Sequence, residues 1–497
     1  MKTEYDVIVV GGGVNGTGIA ADAAGRGLNV LMCEAADLAS ATSSNSSKLI
    51  HGGLRYLEQY EFRLVKEALA EREVLLAKAP HIMWPLRFRL PHQKHLRPAW
   101  MIQIGMFLYD NLAKRVSLKR SKRVKTDASS PLVNTISTCF EYSDGWVDDA
   151  RLVVLNALAA RDQGAAVLTR TACTSAEKEG DLWKVTLTDA SGKTFTVTSK
   201  SIVNAAGPWA IQFLQEVASL KNQDAMRLVK GSHFVVPKLY DTDEAYILQN
   251  EDGRIVFVIP YEDDFSLVGT TDVNFVGNPR DAAISQEETD YLVEVVNGYF
   301  KTKITTDDIV HSYSGVRPLL EEANASAQEL TRDYKVVMTG GDNEPVLLNI
   351  FGGKITTFRK LAEYAVDTLC EHFPRAKGAW TEAAALPGGN FEGKEALQAQ
   401  LAKEFPWLPT DIATRFVRSY GTLCRGFLQE AGSLEGMGIH FGAGLYQAEV
   451  DYLVASEWAY TVEDILWRRS KLGLRLTAAE KAQLNDYLTQ ASEQLSA

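Results

Sequence analysis

Three glycines at fixed spacing, Gly11, Gly13 and Gly16, followed by the carboxylate of Glu34, are the residues here best suited to holding a dinucleotide. Gly11 allows a tight turn, Gly13 lets backbone approach a pyrophosphate, and Gly16 lets a helix pack closely on a strand. Asn15 lies in the same turn and joins the candidate set. Glu34 stands where a carboxylate accepts hydrogen bonds from a ribose diol. The elements around these residues have the order the motif requires. Residues 5–10 are a short apolar run that reads as a buried parallel strand. Residues 17–26 read as an Ala-rich helix, and its N-terminus offers unpaired N–H groups and partial positive charge to phosphates. Residues 28–33 read as a second strand. The motif implies an adenine dinucleotide and does not separate FAD from NAD.

Further stretches have the chemistry to approach the same ligand. The polar run 41–48 suits a loop that wraps a ligand, which adds Ser46, Ser47, Lys48 and Leu49 as candidates. His51, Gly52, Gly53, Arg55 and Tyr56 crowd immediately after it. The buried strand leading into Asn204-Ala205-Ala206-Gly207-Pro208-Trp209 has the shape of a second backbone approach, through Ala205, Gly207 and Trp209. Residues 347–351 then form a strand running into Gly352-Gly353-Lys354-Ile355-Thr356. A helix with apolar residues at i, i+3, i+4, i+7 and i+11 follows. This second strand–glycine–helix junction puts Gly352, Gly353, Lys354 and Thr356 at a helix N-terminus facing an anion.

Composition narrows the function classes. At 497 residues the chain should hold two or three domains with sizeable cores. A net charge of −11 argues against general nucleic-acid binding. Five scattered cysteines without a C-x-x-C suggest a reducing compartment and neither a zinc site nor a disulfide framework. No signal peptide and no run of about 18 apolar residues is present, so no crossing of a membrane is expected. One segment stands apart. Residues 87–125 carry eleven Lys or Arg against one acid, Asp110, around a core that includes Trp100, Ile104, Phe107 and Leu108. That pattern fits an interfacial segment on an anionic lipid surface.

The middle of the chain switches to strand alternation. Residues 167–169, 183–187 and 195–197 read as an antiparallel meander. Residues 233–236 and 255–259 read as strands flanking a hairpin turn at 251–254, and 265–269 as another strand, ending at Thr270-Thr271-Asp272. Arg317 and Arg332 fall on stretches that read as short turns. Beyond Leu386-Pro387-Gly388-Gly389 the pattern is helical, with capping signals at Thr461/Asp464 and Thr477/Glu480.

The stretches GGGVNGTGIAADAAGRG, SSKLIHGGLRYLE, FRLPHQKHLRPAWMI, EYSDGWVDDARLV, NAAGPW, LVKGSHFVVP, IVFVIPYEDDFSLVGTTD, YSGVRPL and FGGKITTFRKLAE together resemble the FAD-dependent sn-glycerol-3-phosphate dehydrogenases of bacterial aerobic respiration. The resemblance runs into the terminal helical segment, at DILWRRSKLGL. It implies a mixed α/β, Rossmann-like FAD domain of the glutathione-reductase or D-amino-acid-oxidase type, an antiparallel-sheet substrate domain and a helical C-terminal cap. The expected segments are 1–80, 140–225 and 335–385 for the FAD domain, 81–139 and 226–334 for the substrate domain, and 386–497 for the cap. It further implies oxidation of glycerol 3-phosphate to dihydroxyacetone phosphate, electrons passed to membrane quinone, peripheral attachment to the inner face of the cytoplasmic membrane, and a homodimer.

On that reading Arg317 and Arg332 suit bidentate recognition of a phosphate monoester. Arg55 and Lys354 lie beside the glycine-rich junctions, where a cation stabilises a developing alkoxide and a reduced flavin. His51 and His233 are alternative bases for the C2 hydroxyl proton, with Tyr56 and Thr270 orienting hydroxyls and Asp272 on the cofactor side. The rivals are an oxidase that hands the electrons to oxygen, a flavin enzyme acting on an amine, and a non-catalytic flavoprotein.

Overall fold

The computed structural model describes residues 2–54, 61–220, 226–320, 333–341 and 344–496. Two sheets organise the chain. In the first, strands Tyr334–Gly341, Glu344–Gly352, Thr194–Asn204, Glu4–Val10, Val30–Cys33 and Ala166–Leu168 lie side by side in that order. The four inner pairings from Glu344–Gly352 to Ala166–Leu168 are parallel. Parallel strands covered on both faces must be apolar on both, and Tyr5, Val7, Ile8, Val9 and Val10 of the first strand are all buried. Val7 and Val9 face the helices Val14–Gly25, Asp149–Asp162 and Phe358–Cys370. Ile8 and Val10 face Trp183 and Val185 of an antiparallel ribbon.

That ribbon is Thr171–Glu179, Leu182–Asp189 and the first half of Thr194–Asn204. Ala166–Leu168 does not belong to it. It returns to the first sheet parallel to Val30–Cys33, after the helix Asp149–Asp162 has crossed over. A strand of three residues carries no periodicity, which is why its partner is not readable locally.

Among the described residues the second sheet has ten strands, with Met226–Pro237 as its longest member. Alternation sorts its side chains between two cores. Phe234 and Val236 pack with Tyr246, Val258 and the helix Gln286–Tyr299, while Val235 packs on the other face with Phe88, Ile247 and Tyr109. The turn at 251–254 joins Ala245–Gln249 to Ile255–Tyr261. The 233–236 stretch instead pairs with Phe265–Gly269, so it is not the hairpin's other arm. Arg317 sits on a strand, His311–Leu320, paired residue for residue with Met226–Pro237. Its Gly and Pro give that strand the look of a turn in sequence.

Helices Lys394–Glu404, Thr410–Tyr420, Cys424–Ala431, Gln447–Glu457 and Ala478–Ser496 close around a separate core that includes Leu401, Phe416, Tyr420 and Leu453. Behind the capping signal at Thr461/Asp464 lies the wider-wound segment Asp464–Arg469, capped reciprocally by those two residues. Buried ion pairs fasten this helical end beneath the cofactor layer. Arg151 of the crossover helix grips Glu457 with both terminal nitrogens, and both side chains are fully buried. Arg469 and Arg468 converge on Asp37. Among the described residues, no helix is long and apolar enough to cross a membrane.

Candidate active site

A cavity of about 970 Å³ runs from the first glycine turn to the second and is walled by strands of both sheets. Its cofactor-side geometry is set by close approach. A Cβ on Gly16 would lie 1.9 Å from the Gly11 carbonyl oxygen, and Gly11 itself has φ +116° with the Ala205 carbonyl 2.4 Å from where its Cβ would be. Only glycine at both positions lets the helix, the first strand and the 205–209 turn meet. The first turn of Val14–Gly25 carries no acid, and Val14 N donates to Ser43 Oγ at 3.0 Å. That helix end is open to an anion.

Glu34 accepts from Gly12 N at 2.6 Å and Ala36 N at 2.8 Å, which fixes its carboxylate against the glycine turn. Burial pushes its carboxyl upward, opposed by those two amides. Each oxygen keeps a second lone pair for a ligand hydroxyl. Asn15 Nδ2 reaches the Gly352 carbonyl at 3.2 Å, linking the two glycine junctions. Its Oδ1 is buried without a hydrogen-bond partner. An orphaned acceptor between two glycine cradles, beside two helix N-termini, fits a dinucleotide whose ends lie at the two junctions.

The other end of the cavity is assembled from stretches far apart in the chain. His51 lines the cavity, with its backbone N bonded to Thr356 Oγ1 at 3.2 Å. Arg317 is held by Asp272 through Nη1 and by Thr270 Oγ1 at 3.0 Å through Nη2, so its guanidinium is oriented before any ligand arrives. Lys354 lines the cavity at the N-cap of the turn Ile355–Thr357, which leads into the helix Phe358–Cys370. Phe88, Tyr142, Ile247 and Phe257 supply an apolar flank. This arrangement brings an imidazole, a guanidinium and an ammonium to the wall of one cavity, side chains whose chemistry suits a small anionic ligand.

Of the residues singled out in the sequence, Gly11, Gly13, Asn15, Glu34, Ser46, Ser47, Leu49, His51, Ala205, Gly207, Trp209, Thr270, Asp272, Arg317, Gly352, Gly353, Lys354 and Thr356 line the cavity. Three do not. Gly16 lies behind the turn as a packing glycine. Lys48 is 2% exposed and ion-paired to Asp149 at 2.7 Å, off the cavity wall. His233 is 1% exposed and stands behind Ser47, whose Oγ is 2.9 Å from its Nε2. Burial, then Arg317 and Lys48, hold His233 well below the usual imidazole range. Arg55, Tyr56 and Arg332 lie outside the described residues.

Sequence reading missed the support beneath His51. Gly52 N donates to Tyr109 Oη at 2.9 Å, and Tyr109 Oη donates to Asp144 Oδ1 at 2.7 Å. Arg72 pairs with Asp144 at 2.5 Å, with both side chains buried. These residues come from three elements, so no local motif announces them. Tyr109→Phe removes the hydroxyl that receives Gly52 N–H and leaves that buried donor poorly paired, at a cost of about 1–3 kcal/mol. The expected result is a lower melting temperature together with a reduced kcat, read by thermal unfolding and steady-state assay. Gly231 reports on the other wall, because a Cβ there would lie 2.4 Å from Arg317 Nη2. The same Cβ would lie 2.6 Å from Thr270 Oγ1, so Gly231→Ala displaces the oriented guanidinium together with the hydroxyl that holds it. It is expected to raise KM by roughly tenfold, about 1.4 kcal/mol, with little change in melting temperature.

Comparison with known proteins agrees with this geometry. The FAD dependent oxidoreductase family matches residues 6–359, and the C-terminal domain of alpha-glycerophosphate oxidase matches residues 379–496. The glycerol-3-phosphate dehydrogenase of Pseudomonas aeruginosa is 55% identical over 97% of this chain and 95% of its own. The D-erythritol 1-phosphate dehydrogenase of Brucella abortus is 48% identical over 98% of both chains. The structure of the Bacillus halodurans glycerol-3-phosphate dehydrogenase complexed with FAD superposes with a TM-score of 0.74 at 25% identity, covering 98% of this chain and 94% of the other. The mixed α/β architecture and helical C-terminal domain expected from the sequence are those of that family. The chain is an FAD-dependent oxidoreductase and belongs to the family that holds the bacterial glycerol-3-phosphate dehydrogenases.

Proposed function

We propose that the protein oxidises the C2 hydroxyl of glycerol 3-phosphate to give dihydroxyacetone phosphate and passes the electrons to a membrane quinone. The observation that carries this reading is Arg317. It is an arginine pre-oriented by Asp272 and Thr270 in the same cavity as His51 and Lys354. A guanidinium fork matches a phosphate monoester bidentately and draws little from an uncharged polyol. FAD, when bound, supplies the acceptor for the hydride that leaves C2. His51 removes the hydroxyl proton. Lys354 and the helix end behind it stabilise the negative charge that develops on the substrate oxygen. His233 is assigned a positioning role through Ser47, because burial and the nearby Arg317 and Lys48 charges weaken its ring as a base and it stands off the cavity wall. Gly11, Gly13, Asn15, Glu34 and the 205–209 turn hold the adenosine and pyrophosphate, and Gly352, Gly353 and Thr356 the flavin end.

The helix Ala99–Asn111 supports the membrane side of the reading. Trp100, Ile104 and Phe107 are 61%, 52% and 66% exposed, and exposed Lys94, Lys114, Lys119 and Arg120 flank them. A lipid-facing apolar stripe edged by cations fits an anionic surface. Phe107→Glu is expected to lower co-sedimentation with anionic vesicles at least fivefold while turnover with a soluble acceptor is kept.

The D-erythritol 1-phosphate named for the Brucella relative makes a longer polyol phosphate the specific competing reading. The deciding experiment compares kcat/KM for glycerol 3-phosphate and D-erythritol 1-phosphate, and reoxidation of the reduced enzyme by a quinone and by air. Preference for the three-carbon ester and for quinone is expected. Preference for the four-carbon ester moves the substrate, and faster reoxidation in air moves the acceptor.

A further inference from the structure

Between the second sheet and the helix Gln286–Tyr299 the chain crosses the Glu34 end of the cavity as a strap. Its near end is fixed where Val273–Asn274 pairs with Val229 and Lys230, and Phe275 N bonds the Leu228 carbonyl at 2.9 Å. Its far end is fixed where Lys230 Nζ donates to the Ala283 carbonyl at 2.7 Å. Between these anchors Gly277, Asn278, Pro279 and Arg280 line the cavity. The turn is set locally. Asn278 Oδ1 accepts from Arg280 N at 3.2 Å, and Asp281 N bonds the Asn278 carbonyl at 2.9 Å.

We propose that Arg280 is a cofactor-binding residue whose guanidinium pairs with the pyrophosphate of FAD from the strap side, opposite the helix Val14–Gly25. The guanidinium lies 5.5 Å from the Trp209 ring, a second wall of the same cavity end. Its charge reaches Glu34, the carboxylate on the glycine turn. Among the described residues it meets no carboxylate at ion-pair distance, so its donors remain for a ligand. The pyrophosphate brings two negative charges, while the helix end opposes them with only about half a charge. Of the other cavity-lining cations described, Arg317 stands with Asp272 and Thr270 at the proposed substrate end, and Lys354 belongs to the second glycine junction. Arg280 therefore supplies full positive charge at the adenosine end. The proposal concerns cofactor retention and is independent of which polyol phosphate is oxidised.

The test is FAD release from the holoenzyme, followed as the rise in flavin fluorescence on dilution at low and high sodium chloride, for wild type, Arg280→Gln and Arg280→Lys. Arg280→Gln is expected to release FAD about tenfold faster at low salt and to lose most of the salt dependence seen in wild type. Arg280→Lys is expected to keep that salt dependence, with release at an intermediate rate. Unchanged release in Arg280→Gln overturns the proposal. So does equally fast release in both variants with wild-type salt dependence, which would assign Arg280 to packing on Trp209 and not to charge. Melting temperatures of the three holoenzymes at saturating FAD separate loss of cofactor affinity from loss of fold.

Discussion

Arg317→Ala is expected to lower kcat/KM for glycerol 3-phosphate by about two orders of magnitude, mostly through KM. The side chain is 21% exposed and already locked by Asp272 and Thr270, so little ordering cost is left when the phosphate arrives. Losing two charge-assisted hydrogen bonds at such a site costs about 3 kcal/mol, which corresponds to roughly a hundredfold. The variant also strands Asp272, 13% exposed, beside the incoming phosphate, and that like-charge contact pushes in the same direction. Arg317→Lys keeps the charge but not the fork and should fall between the two. Slow oxidation of glycerol, which has no phosphate, should be the same in all three proteins. Equal losses with glycerol and glycerol 3-phosphate would contradict phosphate recognition by this residue.

His51→Asn should act on a different constant. A positioned general base contributes about 10²–10⁴-fold, so kcat should fall by about three orders of magnitude with KM nearly unmoved. His233→Asn is expected to cost less than tenfold, since the ring is buried, held neutral and reaches the cavity only through Ser47 Oγ. The comparison is made by steady-state kinetics across pH. A deeper loss in His233→Asn than in His51→Asn would exchange the two assignments.

The first cofactor turn was legible because its chemistry is local. The strand, three glycines, helix and acid lie within residues 4–34, each with a steric or hydrogen-bonding reason to be there. The second glycine junction was legible for the same reason. Arg317 was read as a turn residue because Gly315 and Pro318 interrupt the alternation, although pairing with Met226–Pro237 overrides that local signal. Lys48 lies in a polar run suited to a ligand loop, and nothing nearby in sequence reveals that Asp149, a hundred residues on, pairs with it and buries it. The Tyr109–Asp144–Arg72 support for Gly52 was invisible on the same ground. Its members come from separate elements, and only the packed second sheet brings them into contact. Long-range electrostatics and pairing are what the fold adds to the local pattern.

The most direct measurement is anaerobic stopped-flow reduction of the bound flavin, with glycerol 3-phosphate and glycerol as parallel substrates and Arg317→Ala beside wild type. The predicted result is prompt bleaching of wild type by the phosphate ester, slow bleaching by glycerol, and near loss of that discrimination in the variant. A wild-type flavin that stays oxidised in saturating glycerol 3-phosphate, or one reduced equally well by glycerol, would contradict the reading of this cavity as a polyol-phosphate dehydrogenase site.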